Sequence, residues 1–456
     1  MPYTSRNRLR LLCSMFVLAL SFCAMVTSSA SAEGRDWNVN SWMTGLFNHG
    51  GTITVKGKKQ PASSVELGQL AIPGSHDSAA DNMGDFADEC QDASFFQRNF
   101  GKKMTKSYAR TQHHDLYTQA KLGVRSFDIR PYYDGNELRT CHTLDAGSFR
   151  SMFEGQGGLE RFLGEHPKEV AIVNISHFRP IRPKDDEDDP KNYRVRHDRG
   201  IEAMANYLHD NVCPRAMDPS VVPDAGSISL QAMWKQDKDY VVVADNDQDL
   251  YRKLKAELGK DNCLYNSHDQ ISGGYAGERK RVSYGDGNYS STNLWWGMFD
   301  EVFCERNPFK DCDYGRDGYE TADTVRRATE KTLLDQFREG HKSLHETSYI
   351  WAYGNFAGFG NFEAAKFRLN LNDSSLIGAT EEKQLIVDEG VFKDTKVRAG
   401  LLPYAEEFIK RLEAASDRKN MDVGVGIVNM DAVGRSDLTF KEFIRPLLRI
   451  DRALLD

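Results

Sequence analysis

Short apolar segments rich in β-branched residues alternate with amphipathic segments along most of this 456-residue chain. The apolar segments predict buried strands, and the segments between them predict helices. The strand segments are residues 70–72, 124–129, the apolar part of 158–178, 239–245, 347–354 and 422–431. Buried strands separated by helices are typical of a parallel sheet covered by helices. The pattern and the length therefore predict an α/β fold, a single TIM-type (β/α) barrel that need not be regular.

Two stretches do not follow this alternation. Residues 262–320 are rich in Gly, Tyr, Asn and Cys, and we interpret them as a long insertion in the second half of the barrel. Residues 183–191 are a run of charges, which predicts a solvated loop. Within the insertion, Asp311, Asp313 and Asp317 are spaced like the ligands of a calcium loop. The glycine and the last acid are misplaced for an EF-hand, so calcium is the minor alternative there.

The first 32 residues differ from the rest of the chain. Three arginines within the first ten residues precede an apolar run over residues 11–26 and small residues that end at Ala32. This is the pattern of a secretory signal peptide, and it predicts cleavage after Ala32. An uncleaved membrane anchor is the alternative, which the shortness of the apolar run disfavours. We expect residues 33–456 to form the barrel and to lie outside the cytoplasm, either secreted or periplasmic.

Charge and cysteine content narrow the possible partners. Removal of the signal and its three arginines leaves 56 of the 59 basic residues and all 67 acidic residues, which gives a net charge of −11. An acidic surface argues against nucleic acid as a partner and against strong adsorption to anionic lipid. An even number of cysteines in an exported chain permits disulfides, and without a CxxC pair zinc is not indicated. The cysteines that remain are Cys90, Cys141, Cys213, Cys263, Cys304 and Cys312.

Polar residues follow the predicted strands at their carboxyl ends, which converge on one mouth of a parallel barrel. These residues are His76, Asp77, Asp128, Arg130, Ser176, His177, Asp245, Tyr353, Asn355 and Asp431, and His142 follows Arg130 after a turn. Cleavage of a phosphodiester needs a base, an acid and a cation for the phosphate, and two histidines with an arginine suit these tasks. Alternatively, each histidine is a surface or capping residue, Asp128 is a partner of a barrel amide, and Arg130 forms a surface ion pair.

Four motifs carry a resemblance to a known family. IPGSHDS, FDIRP, LRTCH and VGVGIVNMD occur in this order, and the chain resembles bacterial phosphatidylinositol-specific phospholipase C, a phosphodiesterase with a TIM-type barrel. The resemblance covers roughly residues 65–180 and 345–450. It implies a phospholipid substrate. We expect the enzyme to be a monomer that binds this substrate during transient contact with a membrane surface.

The resemblance also implies roles for individual residues. His76 would be the general base, and Asp431 would orient it. His142 would be the general acid, and Asp77 would support it. Arg130 would bind the phosphate. The base would deprotonate an inositol hydroxyl that attacks the phosphorus, giving a cyclic phosphate and diacylglycerol. Calcium-dependent relatives carry Asn after the first histidine and an acid where Arg130 stands. We therefore expect no catalytic metal and no other cofactor.

Two positions depart from the family pattern. His177 and Asp245 stand where bacterial enzymes carry Lys or Arg, and together with Tyr353 they are our candidate substrate-binding residues. Inositol specificity therefore stays open. One alternative is a glycerophosphodiester phosphodiesterase-type enzyme acting on another head group. The other is a secreted, non-catalytic lipid-binding barrel, which the intact set of histidines, arginine and acids disfavours.

Overall fold

The computed structural model describes residues 38–48, 50–55, 57–85, 87, 110–142, 144–178, 190–244, 250–267, 271–272, 283–284, 287–288, 344–349, 383–386, 396–399, 426–430 and 444–455. Among these residues, no helix is both long enough and apolar enough to cross a membrane. The predicted signal peptide, the charges at 183–189 and most of the predicted insertion lie outside the described residues.

The described strands and helices alternate over much of the chain. The strands are β1 (Thr52–Val55), β2 (Lys58–Pro61), β3 (Ala71–Ser75), β4 (Ser126–Ile129), β5 (Pro131–Tyr133), β6 (Leu138–His142), β7 (Leu144–Ser148), β8 (Ala171–Ile175), β9 (Tyr240–Ala244), β10 (Leu264–Asn266), β11 (Ile271–Ser272), β12 (Ser283–Tyr284), β13 (Gly287–Asn288), β14 (Leu344–Tyr349), β15 (Lys383–Ile386), β16 (Lys396–Ala399) and β17 (Gly426–Met430). The helices are α1 (Trp42–Phe47), α2 (Leu116–Lys121), α3 (Leu159–Glu165), α4 (Pro190–Tyr207), α5 (Leu230–Lys235), α6 (Leu250–Leu258) and α7 (Arg445–Arg452).

Eight strands form one parallel sheet in the order β10-β9-β8-β4-β3-β17-β14-β11. Starting from β3, this order follows the chain around the sheet and returns to β17, which pairs with β3. That circular sequence is the topology of a TIM-type barrel. Within the described residues, β10 and β11 pair with other strands and not with each other, so the barrel has a seam there. The predicted α/β barrel is confirmed.

The strands are buried because apolar side chains cover the sheet on both sides. Every residue of β3, β4, β8 and β9 is buried. Between β3 and β17 the interior is so tight that a Cβ on Gly74 would lie 2.0 Å from Asn429 Oδ1. Glycine at this position therefore lets a polar side chain lie inside the barrel against the first strand.

Three boundaries differ from the sequence-based expectations. The strand expected over 124–129 begins at Ser126, although the backbone of Arg125 already bonds to Pro73 and Ile172 on the two neighbouring strands. Residues 264–266 and 271–272 belong to the barrel sheet and not to an insertion. The charged run ends inside a helix, since α4 begins at Pro190.

The N-terminal segment is fastened to the barrel by a buried ion pair. Glu169 accepts from Arg125 Nη2 at 2.6 Å, from Thr44 N at 2.9 Å and from Thr44 Oγ1 at 2.7 Å. Arg125 also donates to the carbonyls of Asn40 at 2.8 Å and Ala120 at 2.7 Å. Both charges are fully buried, and the shared hydrogen bonds compensate their loss of water.

A disulfide joins Cys213, which follows α4, to Cys263 at the start of β10, with 5.3 Å between the Cα atoms. Cys141 on β6 is disulfide-bonded as well. The structure thus contains disulfides, as the cysteine count permits. Cys304 and Cys312 lie outside the described residues.

Candidate active site

The site lies where β8, β4 and β3 end side by side. His76 and Asp77 follow β3, Arg130 follows β4, and Ser176 and His177 follow β8. Apart from the half-buried His177, these residues are all buried. The order of the sheet therefore brings together side chains that the sequence places a hundred residues apart.

Arg130 is the central cation of the site. Its Nη2 lies 2.7 Å from His76 Nε2 and 3.2 Å from Asp128 Oδ2, and its Nη1 lies 3.6 Å from Asp77 Oδ2. A guanidinium only donates hydrogen bonds, so His76 Nε2 accepts here and a neutral His76 carries its proton on Nδ1. Arg130 is buried between two carboxylates, so it is not a surface ion pair.

His142 reaches the site from a separate three-stranded antiparallel sheet formed by β5, β6 and β7. β5 follows directly after Arg130, and Cys141 N donates to the Arg130 carbonyl at 3.0 Å. The turn back along β6 therefore returns the chain to the mouth of the barrel. His142 Nδ1 lies 3.1 Å from Asp77 Oδ2, and the rings of His142 and His76 are 6.4 Å apart, edge to face.

The carboxylate of Asp77 lies between His142 and Arg130. Burial raises the pKa of Asp77 above its ordinary value, and the positive charges of Arg130, His142 and His76 offset that effect only in part. The ionised form of a buried carboxylate is stabilised by each positive charge that lies close to it. The protonated form of His142 is therefore the better partner of Asp77.

Asp128 holds the other side of Arg130. Its Oδ2 also accepts from Asp77 N at 3.1 Å, and its Oδ1 accepts from Ser176 Oγ at 2.6 Å. Burial acts to raise the pKa of Asp128, but Arg130, His76, His177 and the Ser176 hydroxyl outweigh it and lower that pKa to about 2. Asp128 is thus the permanent anion of the site. It is also the partner of a barrel amide, as one interpretation of the sequence had it.

His177 extends this network away from Arg130. The Ser176 hydroxyl donates to Asp128, so it accepts from His177 Nδ1 at 2.9 Å. His177 has φ of +54° and Asp77 has φ of +46°. Left-handed backbone in residues other than glycine is uncommon and occurs preferentially at functional sites.

The remaining candidate residues, Asp245, Tyr353 and Asp431, lie outside the described residues, as do Asn355 and the aspartates of the calcium-like loop. Their predicted roles stay predictions. Among the described residues no group of three or more His, Cys, Asp or Glu side chains is arranged to hold a metal ion.

Three buried polar residues at the site were missed in the sequence. Thr111, Gln112 and Gln119 donate hydrogen bonds to the backbone of the turn that carries His76 and Asp77. The available signal was Gln119, which interrupts the apolar face of α2. A lone glutamine is a weak signal, because it does not indicate what it will contact.

No protein-family model matches the chain. The curated relatives include PI-PLC X domain-containing protein 3 of Danio rerio, 26% identical over 229 residues, which are 48% of this chain and 61% of that protein. The Homo sapiens protein of the same name is 27% identical over 226 residues, 47% of this chain and 60% of that protein. PI-PLC X domain-containing protein 2 of Mus musculus is 28% identical over 182 residues, 38% and 47% of the two chains.

The matched part of the chain thus spans about half to three fifths of the length of these relatives. Among solved structures, phosphatidylinositol-specific phospholipase C from Listeria monocytogenes aligns with a TM-score of 0.41 and 16% identity, covering 91% of this chain and 99% of that one. A double mutant of the enzyme from S. aureus aligns with a TM-score of 0.41 and 14% identity over 91% of this chain and 97% of that one. The chain is a homologue of the PI-PLC X domain-containing proteins.

Proposed function

We propose that this relative of the PI-PLC X domain proteins is an exported phosphodiesterase that cleaves phosphatidylinositol or a related phospholipid or glycolipid. The observation that carries the proposal is the position of Arg130, with His76 on one side and the Asp77–His142 pair on the other. A cation flanked by one histidine that accepts and one that faces a carboxylate suits a phosphate held between a base and an acid.

His76 is the proposed base. Its Nε2 lone pair accepts from Arg130, and a bound phosphate offers that guanidinium an acceptor with full charge. Once Arg130 donates to the phosphate, the Nε2 lone pair of His76 takes the proton of a head-group hydroxyl. The oxygen of that hydroxyl forms a bond to phosphorus in the same step.

His142 is the proposed acid. Its Nδ1 faces the Asp77 carboxylate at 3.1 Å, which leaves Nε2 to deliver a proton. An aspartate behind a histidine fixes the tautomer and stabilises the imidazolium. The bond from phosphorus to the diacylglycerol oxygen breaks as His142 protonates that oxygen, so the products are a cyclic phosphate and diacylglycerol.

Head-group recognition is assigned to His177, Asp245 and Tyr353. His177 supports this assignment because it continues the chain of hydrogen bonds from Arg130 through Asp128 and Ser176. An imidazole where the family pattern has a lysine or arginine offers a weaker and pH-dependent charge to the head group. We propose further that the protein acts as a monomer in transient contact with a phospholipid surface.

The test is release of phosphorylated head group from vesicles of phosphatidylinositol, phosphatidylcholine or phosphatidylglycerol, with glycerophosphodiesters as soluble competitors, followed by ³¹P NMR. We expect a cyclic phosphate from at least one lipid with the wild-type protein. His76→Ala and His142→Ala should each lower turnover by about 10²–10⁴. The matched control is His209→Ala, which removes an exposed histidine and should leave turnover unchanged.

Two outcomes would contradict the proposal. Activity on glycerophosphodiesters alone would assign the site to a different head-group class. Binding of vesicles without any turnover would make the protein a lipid-binding barrel. A nitrophenyl leaving group should partly rescue His142→Ala but not His76→Ala, because a good leaving group needs little protonation.

A further inference from the structure

We propose that Thr111, Gln112 and Gln119 are positioning residues that hold the turn His76–Ser78 in its reactive conformation, with Thr111 acting on the acid and Gln112 on the base. The inference rests on the proposed function and adds residues that touch neither substrate nor phosphate. It concerns how a turn that carries two reacting groups is held in place.

Three consecutive carbonyls of the turn each accept a hydrogen bond from a side chain. Gln112 Nε2 donates to the His76 carbonyl at 2.8 Å, and Thr111 Oγ1 donates to the Asp77 carbonyl at 3.0 Å. Gln119 Nε2 donates to the Ser78 carbonyl at 2.8 Å. The three donors are fully buried. Gln119 Nε2 also donates to the His114 carbonyl at 2.6 Å. Buried carbonyls need partners, and the three side chains supply them along the turn.

The turn needs this support because its backbone is not in a relaxed conformation. Asp77 has φ of +46°, and a left-handed conformation is unfavourable for a residue with a side chain. The segment that supplies the donors is itself tied to the turn, since Gln112 N donates to the Ala80 carbonyl at 3.1 Å. The donors and the turn therefore form one hydrogen-bonded unit.

Loss of the Thr111 hydroxyl acts first on Asp77. The Asp77 carbonyl then loses the bond from Thr111 and keeps the one from Ala80 N at 3.0 Å, so we expect the residue to relax toward negative φ and to move its carboxylate away from His142. The described titratable groups around His142 are Asp77 in contact, with Arg130 and His76 beyond it. Without the carboxylate beside it, His142 loses its proton at a lower pH. Because the general acid must be protonated, the alkaline limb of the pH–activity profile then moves to lower pH.

Loss of the Gln112 amide acts on His76 instead. The His76 carbonyl is released while the contact between Asp77 and His142 stays in place. We expect a lower kcat with no movement of the alkaline limb. The loss should be the same for natural and activated leaving groups, because proton abstraction precedes departure in both.

The experiment compares Thr111→Val with Thr111→Ser and Gln112→Leu. The valine keeps the shape of threonine without the hydroxyl, and the serine keeps the hydroxyl. We expect Thr111→Val to lower kcat on phosphatidylinositol by about tenfold or more and to lose much less on a nitrophenyl phosphodiester. Thr111→Ser should restore both values. The controls are Thr118→Val on α2 and Gln231→Leu on α5, which should change neither.

NMR titration of His142 supplies a readout that does not depend on turnover. In Thr111→Val we expect the pKa of His142 to fall, since the carboxylate that contacts it at 3.1 Å favours the protonated ring. Thermal unfolding of each variant checks that the fold is intact. Equal losses on both substrates with an unmoved His142 pKa would make the hydroxyl merely structural and overturn the inference. A wild-type protein without activity would contradict the proposed function. The titration of His142 would still test the positioning role of Thr111.

Discussion

Arg130 decides how negative charge is balanced in the site. One guanidinium lies between two buried carboxylates, Asp77 and Asp128, and in hydrogen-bond contact with His76. The second carboxylate is compensated by His142, which faces Asp77. The two carboxylates are therefore balanced by these two groups, so a phosphate that meets Arg130 does not enter a site of net negative charge.

This charge balance leads to a prediction about metal dependence. Exhaustive chelation with EDTA should leave wild-type turnover unchanged, because Arg130 supplies the charge that a calcium ion supplies elsewhere. Arg130→Lys should lose about 10²-fold or more, since an ammonium cannot present two parallel donors to a phosphate. If chelation abolishes activity and calcium restores it, Arg130 does not replace a cation, and residues 311–320 are the first place to look for the metal.

Asp128 leads to a prediction about stability and pH. Its folded pKa of about 2 lies below the ordinary value of 3.8, so its charge stabilises the fold above about pH 4 and ceases to do so as pH falls toward about 2. The size of this effect is about 2 kcal/mol. Denaturant titrations should show a difference between wild type and Asp128→Asn that widens from pH 2 to pH 5. A difference that does not change with pH would show that Asp128 acts through packing alone.

Among the secondary-structure elements, the sheet of β5, β6 and β7 has a function that a barrel alone does not supply. Parallel strands bring His76 and Arg130 to the mouth, but a second histidine must face them from across the site. The turn after β5 reverses the chain, and β6 ends on His142. The register shift between Thr140 and Cys141 falls just before that histidine, and such bulges re-aim a side chain.

The segment that carries α1 provides a prediction about folding. Glu169→Gln leaves Arg125 buried without its counter-charge and weakens the bonds to Thr44, so we expect a loss of about 3–5 kcal/mol in the free energy of unfolding. The control is Glu165→Gln, which removes an exposed partner of Arg161 and should leave the unfolding midpoint nearly unchanged. Equal midpoints for both variants would mean that the buried pair adds nothing to the attachment of α1.

For the whole molecule, the signal pattern in the sequence and the disulfides in the structure favour the same compartment. Cys213 and Cys263 are bonded and Cys141 is bonded as well, and disulfides persist in oxidising environments. We therefore propose that the protein is exported after cleavage at Ala32. We propose that the net negative charge of the mature chain keeps it from adsorbing to anionic lipid and that the mouth of the barrel makes the contact with a membrane.

Export predicts a defined mature protein. N-terminal sequencing of material collected outside the cytoplasm should begin at Glu33, and mass spectrometry without reduction should show Cys213 linked to Cys263. An expression control without residues 1–32 should stay in the cytoplasm. A mature chain that still carries its first ten residues would contradict cleavage and favour the uncleaved anchor.

The amino-acid sequence alone determined the positions of most strands and the residues at their carboxyl ends, because both depend on neighbouring residues in the chain. Strands buried on both faces appear as apolar runs wherever they occur, and the residues that follow them must lie at one mouth once the sheet is parallel. This is why the sequence could predict the barrel and place His76, Asp77 and Arg130 together. His142 was added from the turn that follows Arg130, and the four motifs gave it a role.

Tertiary structure decided the contacts that cross the chain. Asp451 of α7 accepts from Ala71 N at the start of β3, 380 residues away, and Asp128 is shared among Arg130, Asp77 and Ser176. No sequence pattern singles out Thr111 and Gln112 as donors to the turn that carries His76 and Asp77. A side chain acquires a partner only when the packing of distant elements fixes both positions, because hydrogen bonds and ion pairs depend on distance and direction that no local pattern contains.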